Sequence, residues 1–216
     1  DSITEAGAGH AGGYVQLVAS GLAANDIQVE WIPAGISGHK SDQMLERLDR
    51  DVLSKHPTWM TLSCGVNDVW HGANGIPLDA YQKNITAIVD RAQAAGIRVM
   101  LLTSTMIGED AQNANNLKLA AYNAFLRGLA TEKKCLLADL NTDMQAAIQP
   151  AAAGASQIEL QLTSDGVHMG PLGDRMMARG ILRAFGLNES QLQKANDAWL
   201  DAPGTAGIGA GLALTL

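Results

Sequence analysis

Basic residues, cysteines and long apolar runs are all scarce in this chain. Fifteen lysines and arginines stand against 22 acidic residues, a formal net charge of −7 over 216 residues. Nucleic acids and anionic membrane surfaces recruit a basic footprint, so both are disfavoured as partners. A neutral small-molecule or saccharide substrate is untouched by that argument. No run is long and apolar enough for stable membrane insertion, and no secretory signal pattern is visible. Cysteine occurs only at Cys64 and Cys135, each in an apolar run that reads as a strand. Two buried free thiols are the expectation. No Cys and His spacing suits zinc, so no metal is expected. There is no internal repeat and no sign of a second domain. Residues 1–200 read as one domain, and 201–216 as a Gly- and Ala-rich C-terminal extension.

What is present is an alternation of periods. Tyr14, Leu17, Val18 and Leu22 form one face of a helix over Gly12–Leu22. Ile27–Ile32 reads as a strand, and Pro33–Gly38 as a glycine-bearing loop at its end. A helix capped at Ser41 or Asp42 runs to about Ser54, with Met44, Leu45, Leu48 and Val52 inward. Trp59–Cys64 is the next strand, and Val69–Ile76 a loop. Pro77 opens a helix carrying Tyr81, Ile85, Ile88, Val89 and Ala92, and Gly96 stops it. Ile97–Leu102 is an apolar run suited to a parallel strand covered on both faces. A polar loop, a helix over Asn116–Thr131, a strand over Cys135–Leu140 and a short helix over Thr142–Gln149 follow. Pro150–Gln161 reads as loop. Helices through Leu172–Leu182 and Glu189–Trp199 complete the pattern. This alternation predicts a three-layer α/β domain with a parallel sheet.

Three polar stretches stand at strand ends or turns. Asp1-Ser2 supplies a hydroxyl, Gly65-Val66-Asn67-Asp68 an amide, and Asp165-Gly166-Val167-His168 an acid and an imidazole. A serine hydroxyl is a poor nucleophile until an imidazole takes its proton, and the imidazole needs an acid to orient it. His168 with Asp165 could serve Ser2 in that way. The oxyanion that attack on a carbonyl creates needs donors. The backbone N–H groups of Ser2 and Gly35 and the Asn67 side chain are available. Taken singly, each of these residues suits a turn or a helix cap equally well. Trp70 and His71 are candidate substrate contacts.

In combination the residues resemble the SGNH (GDSL-type) esterases and lipases. Asp1-Ser2-Ile3-Thr4 is similar to the end of the Gly-Asp-Ser-Leu block, in which Ile often replaces Leu. Gly35, Gly65-x-Asn67-Asp68 and Asp165-x-x-His168 are similar to the second, third and fifth blocks, in the family's order. The resemblance implies a flavodoxin-like α/β/α sandwich and hydrolysis through an acyl-enzyme, without metal or organic cofactor. It implies a triad of Ser2, Asp165 and His168, and an oxyanion hole of Ser2, Gly35 and Asn67. Asp1 and Asp68 are then supports of their loops. The stretch Val69–Gly72 is similar to members that act on short-chain or carbohydrate acetyl esters. A thioesterase, a lysophospholipase-type hydrolase and an inactive carbohydrate-binding domain stay open alternatives. The glycine expected before Asp1, and a strand to aim Ser2, are absent from the chain as given. An export signal lost with them would favour the periplasm or secretion; compartment and oligomeric state are otherwise open.

Overall fold

The structure is a computed structural model that describes residues 1–148 and 161–200. Asp1 opens it as a helix cap: its carboxylate accepts from the Ile3 N–H (3.1 Å), and helix α1 spans Ser2–Gly9. The stretch read as a turn is therefore the first turn of a helix, because an aspartate at the cap satisfies a donor the helix cannot. Helix α2 (Tyr14–Ala23) follows, with Tyr14, Leu17 and Leu22 buried and Val18 half-buried. Helices α3 (Ser41–Glu46) and α4 (Leu48–Asp51) replace the single helix expected over 41–54. The break falls at Arg47, whose guanidinium donates to the Ala34 carbonyl (2.7 Å) and pairs with Asp51. Met44 and Leu48 still point inward.

Among the described residues three parallel strands form the sheet: β1 (Trp59–Ser63), β2 (Arg98–Leu102) and β3 (Leu136–Ala138), in that spatial order. Met60 pairs with Val99 and Leu101 with Leu137. Between them come α5 (Val66–Trp70), α6 (Leu78–Ala94) and α7 (Ala114–Glu132), and after them α8 (Leu140–Ala147), α9 (Pro171–Ala184) and α10 (Glu189–Leu200). Helices α6 and α7 cover one face, with α3 against α6. Helix α9 packs on β3 across the other face, with α2, α8 and α10 against it. The outcome is the three-layer arrangement with a parallel sheet. The stripe on α6 is buried at all five expected positions, and Val99–Leu102 are buried throughout. A central parallel strand covered on both faces needs such a continuous run.

Several expectations change. Residues 27–32 carry no regular secondary structure and form no ladder among the described residues, so the expected strand is not a strand here. A strand exists only through its pairing, and none of the described residues pairs with this segment. The segment read as the loop Val69–Ile76 instead begins inside α5, which Gly65 launches from φ 137°. A Cβ at Gly65 would also clash with Ser104 Oγ. The third strand ends at Ala138 because Asp139 caps α8, accepting from the Thr142 N–H. Cys64 is buried, whereas Cys135 is half-buried; both are free thiols. The Pro150–Gln161 loop, save Gln161, and the 201–216 extension lie outside the described residues.

Candidate active site

Ser2 sits in the first turn of α1. The first N–H groups of a helix lack intrahelical acceptors. Asp1 takes the Ile3 N–H and its own carbonyl receives Glu5 N–H (3.0 Å). The Ser2 N–H has no acceptor among the described residues, so a donor stands beside the hydroxyl.

The last block reaches the first across 166 residues of sequence. His168 Nε2 lies 2.9 Å from Ser2 Oγ, and His168 Nδ1 lies 2.6 Å from Asp165 Oδ2. Asp165 also accepts the Val167 and His168 backbone N–H groups on its other oxygen, at 2.9 and 2.8 Å. Burial raises the Asp165 carboxyl, but these bonds, led by the one from the His168 ring, outweigh it and hold it at about 2. An ionised Asp165 accepts only, so Nδ1 carries the proton and Nε2 presents its lone pair to Ser2.

The turn that carries Asp165 and His168 is braced twice. Ser164 N–H donates to the His168 carbonyl (2.8 Å), and Thr163 and Met169 form an antiparallel bridge. From the loop after β2, the buried Glu109 carboxylate accepts the N–H groups of Gln161, Leu162 and Thr163 and the Thr163 hydroxyl, all within 2.7–2.8 Å. Sequence reasoning placed Glu109 in an undistinguished polar loop. Nothing local distinguishes it, because its partners are backbone groups more than fifty residues away.

Gly35 packs on the backbone of Thr4 and Glu5 so closely that a Cβ would overlap it. Its loop is tied to α1 by the Ser37 N–H donating to Glu5 (2.9 Å). Only glycine allows that approach. Asn67, buried in α5, donates one amide hydrogen to the His39 carbonyl (3.1 Å). Its second amide hydrogen is left to serve another acceptor. Asp68 accepts from Ser41 N–H (3.0 Å) and Ser41 Oγ (2.5 Å), fixing α5 against α3. Burial raises its carboxyl despite those bonds. Ser41, expected as a cap, is thus a lock on the Asn67 element. Cys64 lies against Asp68, and burial pushes its thiol far up, so it is no competing thiolate.

Trp70 is 45% exposed and touches His71 edge to face, with ring centroids 6.2 Å apart. No hydrogen bond joins either to Ser2, Asp165 or His168 among the described residues. His39 is turned inward, its Nδ1 buried without a partner; burial, then Arg47, lowers its pKa. His10 and His56 are exposed. No group of three or more His, Cys, Asp or Glu side chains suited to a metal occurs among the described residues.

Residues 1–176 match the GDSL-like lipase/acylhydrolase family. The chain belongs to that family. It is a carboxylic ester hydrolase. Among family relatives, the acetylxylan esterase of Geobacillus stearothermophilus is 25% identical over 183 residues, 81% of each chain. The crystal structure of the acetyl xylan esterase AlAXEase superposes with a TM-score of 0.78 at 35% identity, covering 85% of this chain and 96% of that one. An α/β hydrolase, LAE5, from the metagenome of Lake Arreo shares the fold, with a TM-score of 0.72 at 24% identity over 81% of this chain and 82% of its own.

Proposed function

We propose that this esterase removes acetyl groups from carbohydrates, with Ser2 as nucleophile, His168 as general base and acid, and Asp165 as the orienting carboxylate. The His168 ring carries the reading, standing 2.9 Å from the Ser2 hydroxyl and 2.6 Å from Asp165. As Ser2 Oγ attacks the acetyl carbon, its proton passes to His168 Nε2. The carbonyl π electrons move to oxygen, and the N–H groups of Ser2 and Gly35 with the Asn67 amide receive that charge. Collapse breaks the bond to the sugar oxygen, and His168 returns the proton to the departing alcohol. Water then attacks acetyl-Ser2, giving a proton to His168. Acetate leaves as Ser2 Oγ takes that proton back.

Two observations favour a small acyl group on a bulky alcohol. The His168 and Asp165 side chains are 34% and 51% exposed, so the leaving-group side is open. The names of the relatives above point to acetylated xylan, and Trp70 and His71 are offered as contacts to a sugar ring. The comparison to make is kcat/KM on acetylated xylo-oligosaccharides, an octanoyl ester and acetyl-CoA. The acetylated saccharide is expected to be the best substrate. A preference for octanoate or for the thioester would refute the substrate class while leaving the triad standing.

A further inference from the structure

The turn that carries Asp165 and His168 is anchored from outside by one loop. Apart from the contact with Ser2, every hydrogen bond that reaches residues 162–169 from beyond the 161–170 segment, among the described residues, comes from Gly108 or Glu109. Glu109 holds the approach to the turn. At its tip, the Gly108 N–H donates to the Gly166 carbonyl (2.5 Å). Gly108 and Gly166 stand at φ 71° and 93°, conformations that glycine adopts freely, which lets the two backbones meet.

The loop is in turn wrapped on a single side chain. Asn116 Oδ1 accepts the Ile107 N–H (2.8 Å). Asn116 Nδ2 shares its two hydrogens among the carbonyls of Ile107 (3.1 Å), Gly108 (3.0 Å) and Asp110 (2.8 Å). Asn116 is buried in the first turn of α7, where a side chain commonly reaches back to the N–H of the cap residue. Here the Asp110 carbonyl takes the Asn113 N–H (3.2 Å), and Asn113 caps the helix by accepting the Asn116 N–H (2.9 Å). The helix end is satisfied without the Asn116 side chain, which serves the loop. An amide can accept from one backbone group while it donates to others; an ionised carboxylate has no hydrogen to give.

Ser2 and His168 come from separate segments of the chain. Ser2 is placed by α1, and His168 by a turn whose hydrogen bonds to the body run through residues 108 and 109. A shift of the 107–110 loop is thus a shift of the imidazole relative to the hydroxyl. A misplacement of about 1 Å between reacting groups can cost about 10²-fold in rate.

We propose that Asn116 is a positioning residue for ester hydrolysis: through the 107–110 loop it sets where the His168 ring stands against Ser2, without touching substrate or a reacting atom. The proposal rests on the reading of Ser2 and His168 as nucleophile and base. It does not depend on which ester is hydrolysed.

The test sets Asn116→Ala and Asn116→Asp beside His168→Ala. Asn116→Asp keeps an acceptor for the Ile107 N–H and offers the three carbonyls no donor. In both variants Asn113 still donates to the Ile107 carbonyl (2.7 Å), and Ile107 is buried, so the loop keeps an anchor and the fold is expected to survive. Circular dichroism and urea unfolding give the folded fraction, and acetate release is measured where each variant is folded. Both Asn116 variants are expected to lose about 10- to 100-fold in kcat with KM within about twofold, and to react with a fluorophosphonate at Ser2 more slowly by a similar factor. A folded variant with the parent's kcat would overturn the proposal. So would a rise in KM at unchanged kcat, which would make Asn116 part of substrate binding. Loss of the fold in both variants would reduce Asn116 to a stability residue and overturn it as well. Acetate release undiminished in His168→Ala would bring down the triad reading and the positioning role with it, whereas a loss in His168→Ala alone sinks only the positioning role.

Discussion

At the scale of the residue, the His168 ring joins an ionised oxygen to a neutral one. Removing the charge of Asp165 while keeping its shape leaves the imidazole free to hold the wrong tautomer. The Asp165→Asn variant is expected to lose on the order of 10²–10⁴-fold in kcat with KM little changed, measured by acetate release. The Asn67→Ala variant, which strips a donor from the proposed oxyanion site, is expected to lose about 10²-fold or more in kcat. The side chains proposed to react were legible as a group because their chemistry is rare in combination: a hydroxyl, an amide, and an acid three residues before an imidazole. Glu109 and Ser41 were not legible. Each acts on backbone or side-chain groups brought near only by folding, and a lone Glu or Ser in a polar stretch has many uses. Glu109→Ala would take their buried acceptor from the Leu162 and Thr163 N–H groups. That variant is expected to lose at least about 2 kcal/mol in urea unfolding. Its kcat is also expected to fall, because the turn bearing His168 loosens. Unchanged stability and unchanged kcat would show that the Thr163 segment holds its position without Glu109.

At the scale of the element, α9 is held to α2 by Asp174, which accepts the Tyr14 N–H (2.9 Å) from the first turn of its own helix. Burial lifts the Asp174 carboxyl to about 6 against the hydrogen bond from Tyr14. The folded protein then binds more protons than the unfolded chain between about pH 4 and pH 6, so stability falls as pH rises through that window. An Asp174→Asn substitution keeps an oxygen for Tyr14 and removes the titration. Relative to the parent, that variant is expected to gain at most about 3 kcal/mol between pH 4 and pH 8, seen in the urea midpoint. A difference that does not change with pH would contradict the assignment. Helical periodicity was read well on α6, whose whole stripe is buried. Residues 27–32 show the limit. Alternation announces a strand, but pairing depends on a neighbour that alternation does not contain. The break at Arg47 was hidden for a related reason, since its bond to Ala34 belongs to a loop outside the helix.

At the scale of the whole molecule, the parallel sheet gathers the ends of distant segments at one edge. Residues 1–2, 35, 67 and 165–168 come from four stretches, and the bonds among α1, the Gly35 loop, α5 and the Glu109 loop fix them from behind. The layer order was legible from alternation alone. Intact-protein mass spectrometry after reaction with a fluorophosphonate, run beside acetate release, tests the role of Ser2 most directly. The account predicts one adduct, on Ser2, absent in Ser2→Ala and formed far more slowly in His168→Ala, with acetate release falling about 10³-fold or more in both. An adduct on another residue, or undiminished acetate release by the Ser2→Ala variant, would contradict it.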